Sequence, residues 1–208
     1  MVIGYICRSQ SFSAAHRLHS AALSAEENRA LYGKCNNPNF HGHNYKVEVT
    51  IYGPINPFTG MIVHIADVKD CIDKAIMKYL DHRNLDLDVA WFSHRPSTTE
   101  NLAIFIWMSM KRAFKPIVQK AIQDARVQQA EANADVASSH FPKLYEVRLH
   151  ETENNMVIFR GDGLTEEDFV AFETEMPVLV STNHSSDGIA RCNDVVESLP
   201  TCTIDCVL

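Results

Sequence analysis

The sequence has no long hydrophobic run and little positive charge. Its most apolar segment, LAIFIWMSM at 102–110, is too short to cross a bilayer. A net charge of −7 argues against broad binding to nucleic acid or to a membrane surface, since both require basic patches. We therefore expect a protein with neither a nucleic-acid nor a membrane partner.

The sequence also lacks a dense cysteine framework. Its 6 cysteines include no C-x-x-C pair, so free thiols in a reducing compartment fit best. The first residues lack the basic start and long apolar core of a signal peptide. Cys206 stands third from the end, which does not match a prenylation box. These features together predict a cytoplasmic protein.

Alternation of apolar and polar residues predicts four strands. A chain of 208 residues with 46% apolar content is typical of one domain with a sizeable core. The alternating segments are 2–18, 43–53, 144–151 and 156–161. Turn residues separate the last two, which predicts a hairpin.

Two helices are predicted between the strand pairs. Asp67 is a candidate N-cap for a helix over Val68–Leu80. Ser97 and Glu100 have the spacing of a capping box, which predicts a second helix over Thr98–Phe114. The order of elements predicts an α+β fold, with both helices on one face of a four-stranded antiparallel sheet.

Two segments fall outside this plan. Residues 117–140 are rich in Ala and Gln and predict an extended helix followed by a loop, inserted into a domain that spans 1–163. Residues 164–208 form a C-terminal extension of unknown role that begins with the pattern of a short capped helix. We expect both segments to be peripheral to catalysis.

The stretch KCNNPNFHGHNY, 34–45, places Cys35, His41 and His43 close together. Alternate side chains of a strand share a face, so the two histidines project together. Cys35 precedes an Asn-Asn-Pro-Asn turn and therefore lies on a loop.

A third histidine, His16, ends the first predicted strand. If that strand pairs with the one that begins at His41, the imidazoles of His16, His41 and His43 converge. Single histidines in strands are usually hydrogen-bonded residues, but three at neighbouring strand ends favour a metal site. Three protein ligands with an open position are typical of catalytic zinc, and imidazole suits zinc better than magnesium.

The residues alone leave several roles open. Cys35 could complete the zinc site, or it could act as a nucleophile or base beside His82 and Asp81. Asp81 could equally brace its loop. Glu100 could be the second partner of the capping box, and Glu151 could be an exposed charge at a strand end.

Six segments resemble, in order, blocks of the 6-pyruvoyl-tetrahydropterin synthase family. They are FSAAHRLHS, GKCNNPNFHGHNYKVEVT, TGMIV, AIMKYLDHRNLDLDV, STTENLAIFIW and YEVRLHETENN. The resemblance runs from about Phe12 to Gly161. Phe40 departs from it, because the family often has a small residue before the HGH motif.

The resemblance implies the tunnelling fold, in which three four-stranded sheets close into a twelve-stranded barrel and two trimers form a homohexamer. Closing a barrel removes unpaired sheet edges. Active sites between subunits are also implied, which would allow Cys35 and His82 to meet from different chains.

The resemblance further implies conversion of 7,8-dihydroneopterin triphosphate to 6-pyruvoyl-tetrahydropterin, with loss of triphosphate, in tetrahydrobiopterin biosynthesis. This is a zinc-dependent carbon–oxygen lyase reaction that needs no nicotinamide or flavin. The implied zinc ligands are His16, His41 and His43, the implied catalytic residues are Cys35, Asp81 and His82, and the implied pterin-binding residues are Thr99, Glu100 and Glu151.

Two alternatives remain at this point. A 6-carboxy-tetrahydropterin synthase shares the fold, but its cysteine usually lies closer to the HGH motif than Cys35 lies to His41. A catalytically silent pterin-binding scaffold is the other alternative, and the presence of Cys35, His82 and Glu151 argues against it.

Overall fold

A five-stranded sheet organises the protein. The structure, a computed structural model, describes residues 2–130 and 141–176. The strands are β1 (Ile3–His16), β2 (His41–Pro54), β3 (Arg83–Asn84), β4 (Lys143–His150) and β5 (Met156–Phe159), in the order β3-β1-β2-β4-β5. The helices are α1 (Ala25–Tyr32), α2 (Ile65–Ile72), α3 (Lys78–Leu80), α4 (Leu85–Asp88), α5 (Thr99–Ala130) and α6 (Glu166–Glu175).

The predicted α+β fold is confirmed, but the count of four strands is wrong by one. The four predicted strands are present and antiparallel, whereas β3 pairs in parallel with β1 at Ala14 and Ala15. The backbone N–H of Ser13 donates to Asp81, and that of His82 donates to the Ser13 carbonyl. These bonds hold the segment that leads into β3 beside β1. A strand of two residues has no alternating pattern that a sequence could reveal.

The core lies between one face of the sheet and the helices. Tyr45, Val47, Val49 and Ile51 alternate along β2 and are fully buried, while the residues between them are polar or partly exposed. Both α2 and α5 contact the sheet. The burial of alternate residues fixes the pairing register of β2, because a shift of one residue would turn the whole apolar set toward solvent.

Helix α2 begins earlier than predicted. His64, not Asp67, is its N-cap, and His64 Nδ1 accepts the backbone N–H of Ala66 at 3.3 Å. A π-helical segment, Asp73–Met77, joins α2 to α3. The predicted end at Leu80 is correct.

Helix α5 is longer than the predicted 98–114. It continues through Pro116 to Ala130 and so contains the helix predicted at the start of 117–140. Residues 131–140 lie outside the described residues. Although it spans 32 residues, neither α5 nor any other helix of the described chain is apolar enough to cross a bilayer.

The predicted capping box of α5 is wrong. Thr98 Oγ1, not Ser97, accepts the backbone N–H of Asn101 at 3.3 Å. The Ser97 hydroxyl donates to Asp86 at 2.8 Å, and the side chain of Glu100 is exposed. Because the Ser97 hydroxyl bonds to Asp86 of α4, it does not cap α5, and the N-cap is Thr98, one residue later.

The described part of the C-terminal extension, residues 164–176, packs on the domain. Thr165 and Asp168 form a capping box at the start of α6. Phe172 is 2% exposed and lies 5.6 Å from the Phe105 ring, centroid to centroid. Glu175 accepts two hydrogen bonds from Arg95, at 2.6 and 3.0 Å. Residues 177–208 lie outside the described residues.

We expect Phe172→Ala to lower the free energy of unfolding by about 3–5 kcal/mol, the usual effect of removing a buried aromatic ring. Urea denaturation of the full chain measures the change. The matched control is Val170→Ala on the exposed side of α6, where Val170 is 65% exposed, and we expect a change below about 0.5 kcal/mol. Equal stabilities of the two variants would contradict the packing of α6 on the core.

Candidate active site

The pairing of β1 with β2 brings three histidines together. His16 and His41 are direct cross-strand partners, and His43 stands opposite Ala14. The ring centroids lie 4.5 Å apart for His16 and His41, 5.2 Å for His16 and His43, and 5.1 Å for His41 and His43. The convergence expected from strand alternation is therefore present.

The backbone beside these histidines is tightly placed. A Cβ atom on Gly42 would lie 3.0 Å from the carbonyl oxygen of Ala14, so glycine allows the strands to approach here. Phe40, immediately before His41, has a φ of 62°. A bulky side chain rarely adopts that conformation, and such backbone strain is typically found at functional sites.

The histidine nitrogens suit a metal ion. One ligand atom from each of His16, His41 and His43 lies within 4.8 Å of the others. His16 Nδ1 lies 2.8 Å from the Ser97 carbonyl oxygen, which can only accept, so Nδ1 carries the hydrogen. His16 Nε2 then offers a lone pair. It has no hydrogen-bond partner among the described residues, and neither nitrogen of His41 has one.

The electrostatics favour neutral imidazoles at His16 and His41, and the neutral form is the one that binds metal. Burial is the main cause that lowers the pKa of His16, against the opposing hydrogen bond to Ser97. Burial and the neighbouring His43 lower the pKa of His41. Orphaned buried nitrogens, neutral rings and an orienting carbonyl fit a metal held by three histidines.

A carboxylate held by a hydroxyl adjoins the histidines. Glu151 Oε1 lies 3.9 Å from the Nε2 atoms of both His16 and His43. Thr99 Oγ1 donates to the same oxygen at 2.7 Å, which fixes the carboxylate at the start of α5. The structure thus brings Thr99 and Glu151 together beside the candidate metal site.

Tyr45 is a residue of this site that the sequence analysis did not select. It lies two residues after His43 on the same face of β2, and their ring centroids are 5.5 Å apart. Its buried hydroxyl has no hydrogen-bond partner among the described residues. Burial and then nearby acidic groups, foremost Glu151, raise the pKa of Tyr45. The hydroxyl therefore stays protonated and can donate a hydrogen bond.

Cys35 lies on a short 3₁₀ turn, Gly33–Asn36, after α1. Its carbonyl accepts the backbone N–H of Leu18 at 2.9 Å, and the Asn36 side chain donates to the Leu18 carbonyl at 2.7 Å. Leu18 follows His16 by two residues, so both bonds hold the turn against the end of β1. The thiol is free and partly exposed.

Asp81 and His82 form a pair in the segment between α3 and β3. Asp81 Oδ2 lies 2.9 Å from His82 Nδ1, and Asp81 Oδ1 accepts the backbone N–H of Ser13 at 3.0 Å. Burial disfavours the charged carboxylate, but the hydrogen bonds from Ser13 and His82 outweigh it and lower the pKa of Asp81. Asp81 therefore both orients the imidazole and braces the loop. The His82 side chain is 83% exposed, and its φ is 58°.

Glu100 is not brought to this cluster by any contact among the described residues, and its side chain is exposed to solvent.

The Asp86 carboxylate and the Ser97 carbonyl also organise the site, and neither role was predicted. Asp86 accepts from the Ser97 hydroxyl at 2.8 Å and from the Arg17 backbone N–H at 2.7 Å. These bonds hold the Ser97 carbonyl near His16. Alternation along β2 could have revealed Tyr45, but no sequence pattern reveals a carbonyl that orients a histidine.

Known proteins are similar to this chain over most of its length. The family model described as 6-pyruvoyl tetrahydropterin synthase matches residues 5–162. The chain belongs to this family. All nine predicted site residues fall inside the matched range, whereas α6 lies beyond it.

Relatives in the 6-pyruvoyl tetrahydropterin synthase family align over most of their length. The chain is 49% identical over 160 residues to the 6-pyruvoyl tetrahydrobiopterin synthase of Poecilia reticulata, covering 77% of this chain and 92% of the relative. It is 45% identical over 157 residues to the Homo sapiens enzyme of that name, covering 76% and 91%. The solved 6-pyruvoyl tetrahydropterin synthase of Caenorhabditis elegans superposes with a TM-score of 0.63 at 36% identity, covering 78% and 98%.

Proposed function

We propose that the protein converts 7,8-dihydroneopterin triphosphate to 6-pyruvoyl-tetrahydropterin and triphosphate. The observation that carries the proposal is the position of Glu151, which lies 3.9 Å from two of the three converging histidines and is fixed by Thr99. A pterin ring held by that carboxylate would place its side chain beside the histidine cluster. Relatives at 45–49% identity have the matching name.

His16, His41 and His43 are proposed to hold zinc, because one ligand atom from each lies within 4.8 Å of the others. Nitrogens of His16 and His41 that have no hydrogen-bond partner among the described residues support this proposal. Zinc bound there would supply positive charge that makes a neighbouring C–H bond of the substrate more acidic. The Ser97 carbonyl would keep His16 Nε2 directed inward.

Glu151 is proposed to bind the amino-pyrimidine edge of the pterin. A carboxylate can accept two parallel N–H bonds, and each of its oxygens can accept more than one hydrogen bond. Oε1 can therefore keep its bond from Thr99 while the ring is bound. Glu100 was also predicted to line this pocket, but its exposure gives that role no support.

Cys35 is proposed to remove a proton from the substrate side chain, and His82 to move a second proton. The Asp81 carboxylate orients the imidazole of His82 at 2.9 Å, as proton transfer requires. The reaction then eliminates triphosphate and redistributes electrons within the substrate, so the overall chemistry is that of a carbon–oxygen lyase.

The exposed position of His82 is consistent with a site completed by a second subunit. Its side chain is 83% exposed, and β3 and β5 leave both edges of the sheet unpaired within the described chain. We propose a trimer whose sheets close into a barrel, two such trimers forming a homohexamer, and a cytoplasmic location.

Mass spectrometry of the products formed by zinc-loaded protein from 7,8-dihydroneopterin triphosphate tests the function. We expect 6-pyruvoyl-tetrahydropterin together with inorganic triphosphate. A carboxy-tetrahydropterin with a two-carbon fragment would instead indicate a 6-carboxy-tetrahydropterin synthase. Unchanged substrate from a metal-loaded hexamer would indicate a silent pterin-binding scaffold.

A further inference from the structure

A cavity of about 490 Å³ adjoins the turn that contains Cys35. Both chain neighbours of Cys35, Lys34 and Asn36, line it, as do Arg17 and Arg29. We propose that this cavity binds the triphosphate group of the substrate through Arg17, Arg29 and Lys34. The inference rests on the proposed function, because the substrate of that function carries a triphosphate group.

The charge of the cavity opposes that of the whole chain. The chain has a net charge of −7, yet none of the described residues that line the cavity carries a carboxylate. Two arginines and a lysine thus line a common space. Guanidinium groups bind phosphate oxygens through paired hydrogen bonds, and a concentration of positive charge in a cleft attracts an anionic substrate.

Arg17 is held in place before any ligand arrives. Its Nε donates to the Asn36 carbonyl at 3.0 Å, and its Nη2 donates to Asn36 Oδ1 at 3.4 Å. Its backbone N–H donates to Asp86 at 2.7 Å. Arg17 is partly buried, so these contacts fix its guanidinium at the wall of the cavity, where less conformational entropy is lost on binding.

Arg29 and Lys34 complete the site from the exposed side. Arg29 is paired with Glu26 at 2.6 Å, but both side chains are largely exposed, at 66% and 78%. An exposed ion pair of this kind contributes little free energy, so a multiply charged phosphate can displace it. Lys34 is exposed beside the Cys35 turn.

The position of the cavity agrees with the shape of the substrate. Neither Thr99 nor Glu151, the proposed ring-binding pair, lines the cavity. Cys35, which would act on the carbons between ring and phosphates, is flanked in the chain by two of its lining residues. The residues proposed to bind the ring and those proposed to bind the triphosphate are thus separate sets.

A second cavity, of about 580 Å³, shares Arg17 with the first but suits phosphate less well. It is also lined by the carboxylate of Asp86. Its other guanidinium, Arg95, donates two hydrogen bonds to Glu175. The side chains of that pair are each 35% exposed, against 66% and 78% for Arg29 and Glu26, so phosphate would displace it less readily. The cavity beside Cys35 is therefore the better candidate.

Calorimetric titration of the full chain with inorganic triphosphate tests the proposal without requiring turnover. We expect Arg29→Gln/Lys34→Gln to weaken triphosphate binding at least about tenfold and to reduce its dependence on salt, since two charged hydrogen-bond donors are lost. Binding of dihydroneopterin, which has no phosphates, should be unchanged, and KM for the triphosphate substrate should rise more than kcat falls.

The matched control is Lys69→Gln/Lys120→Gln, which removes the same charge from exposed helix positions outside the cavity. Its triphosphate affinity should equal that of the unmodified chain. If both double variants bind triphosphate equally, or if the unmodified chain binds none, the proposal is wrong even when turnover is normal. The unmodified chain could instead bind triphosphate but form no 6-pyruvoyl-tetrahydropterin. If only Arg29→Gln/Lys34→Gln then lost triphosphate binding, the result would support the cavity and overturn only the proposed function.

Discussion

Replacing Cys35 by serine is expected to lower kcat roughly 10²- to 10⁴-fold, the usual contribution of a positioned acid or base. A serine hydroxyl is nearly the same size but gives up its proton far less readily than a thiol. The fold should persist, because the bonds that hold the turn to Leu18 come from the Cys35 carbonyl and the Asn36 side chain. Steady-state turnover of the pterin triphosphate measures the effect.

The control for this substitution is Cys7→Ser, which replaces an exposed free thiol on β1 and should leave turnover unchanged. Zinc content distinguishes the two roles that the sequence left open for Cys35. Removing a base should leave the zinc affinity unchanged, whereas removing a fourth ligand should lower it. Retained turnover in Cys35→Ser would refute the proposed base, and zinc loss with the fold intact would make Cys35 a ligand.

The parts of the site that the sequence predicts are those governed by strand geometry. Side chains alternate strictly along a strand, so His41 and His43 had to share a face, and Tyr45 with them. Pairing of β1 with β2 then required only that two half-buried strands align their apolar faces. His16 and His41 are cross-strand partners for that reason.

The parts that the sequence does not predict depend on contacts between distant segments. The Ser97 hydroxyl donates to Asp86 and therefore does not cap α5. Thr98 is the N-cap instead, so Glu100 has no capping role. Ser97 then presents its carbonyl to His16 across 81 positions of sequence. Capping patterns describe local competition for N–H groups and carry no information about a distant acceptor.

The end of the chain shows the same limit. The pattern after residue 164 predicts a capped helix, and α6 is present at Glu166–Glu175. Its sequence does not say which surface Phe172 packs against. That surface includes Phe105 of α5, and Arg95 is fixed beside it by Glu175. A peripheral role of residues 164–208 in catalysis therefore remains a prediction, although α6 contributes to packing.

His41→Ala is expected to weaken zinc binding by roughly 100-fold or more, because losing even a partner that only orients a ligand typically costs 10- to 100-fold. Competition with a chelator measures the affinity. Thermal unfolding gives an independent readout, since zinc at 100 times its dissociation constant should stabilise the unmodified chain by about 2.7 kcal/mol. The same zinc concentration should leave the variant's unfolding temperature nearly unchanged.

The matched control is His64→Asn, which removes an exposed imidazole but keeps a side-chain oxygen to cap α2. It should bind zinc normally. In the metal-free protein, His41→Ala should cost little stability. Neither nitrogen of His41 has a hydrogen-bond partner among the described residues, so the substitution leaves no described polar group without its partner. If His41 is a metal ligand, we expect His41→Ala to lose its response to zinc and to retain its stability. A merely structural histidine predicts the reverse, namely a destabilised protein whose response to zinc is unchanged.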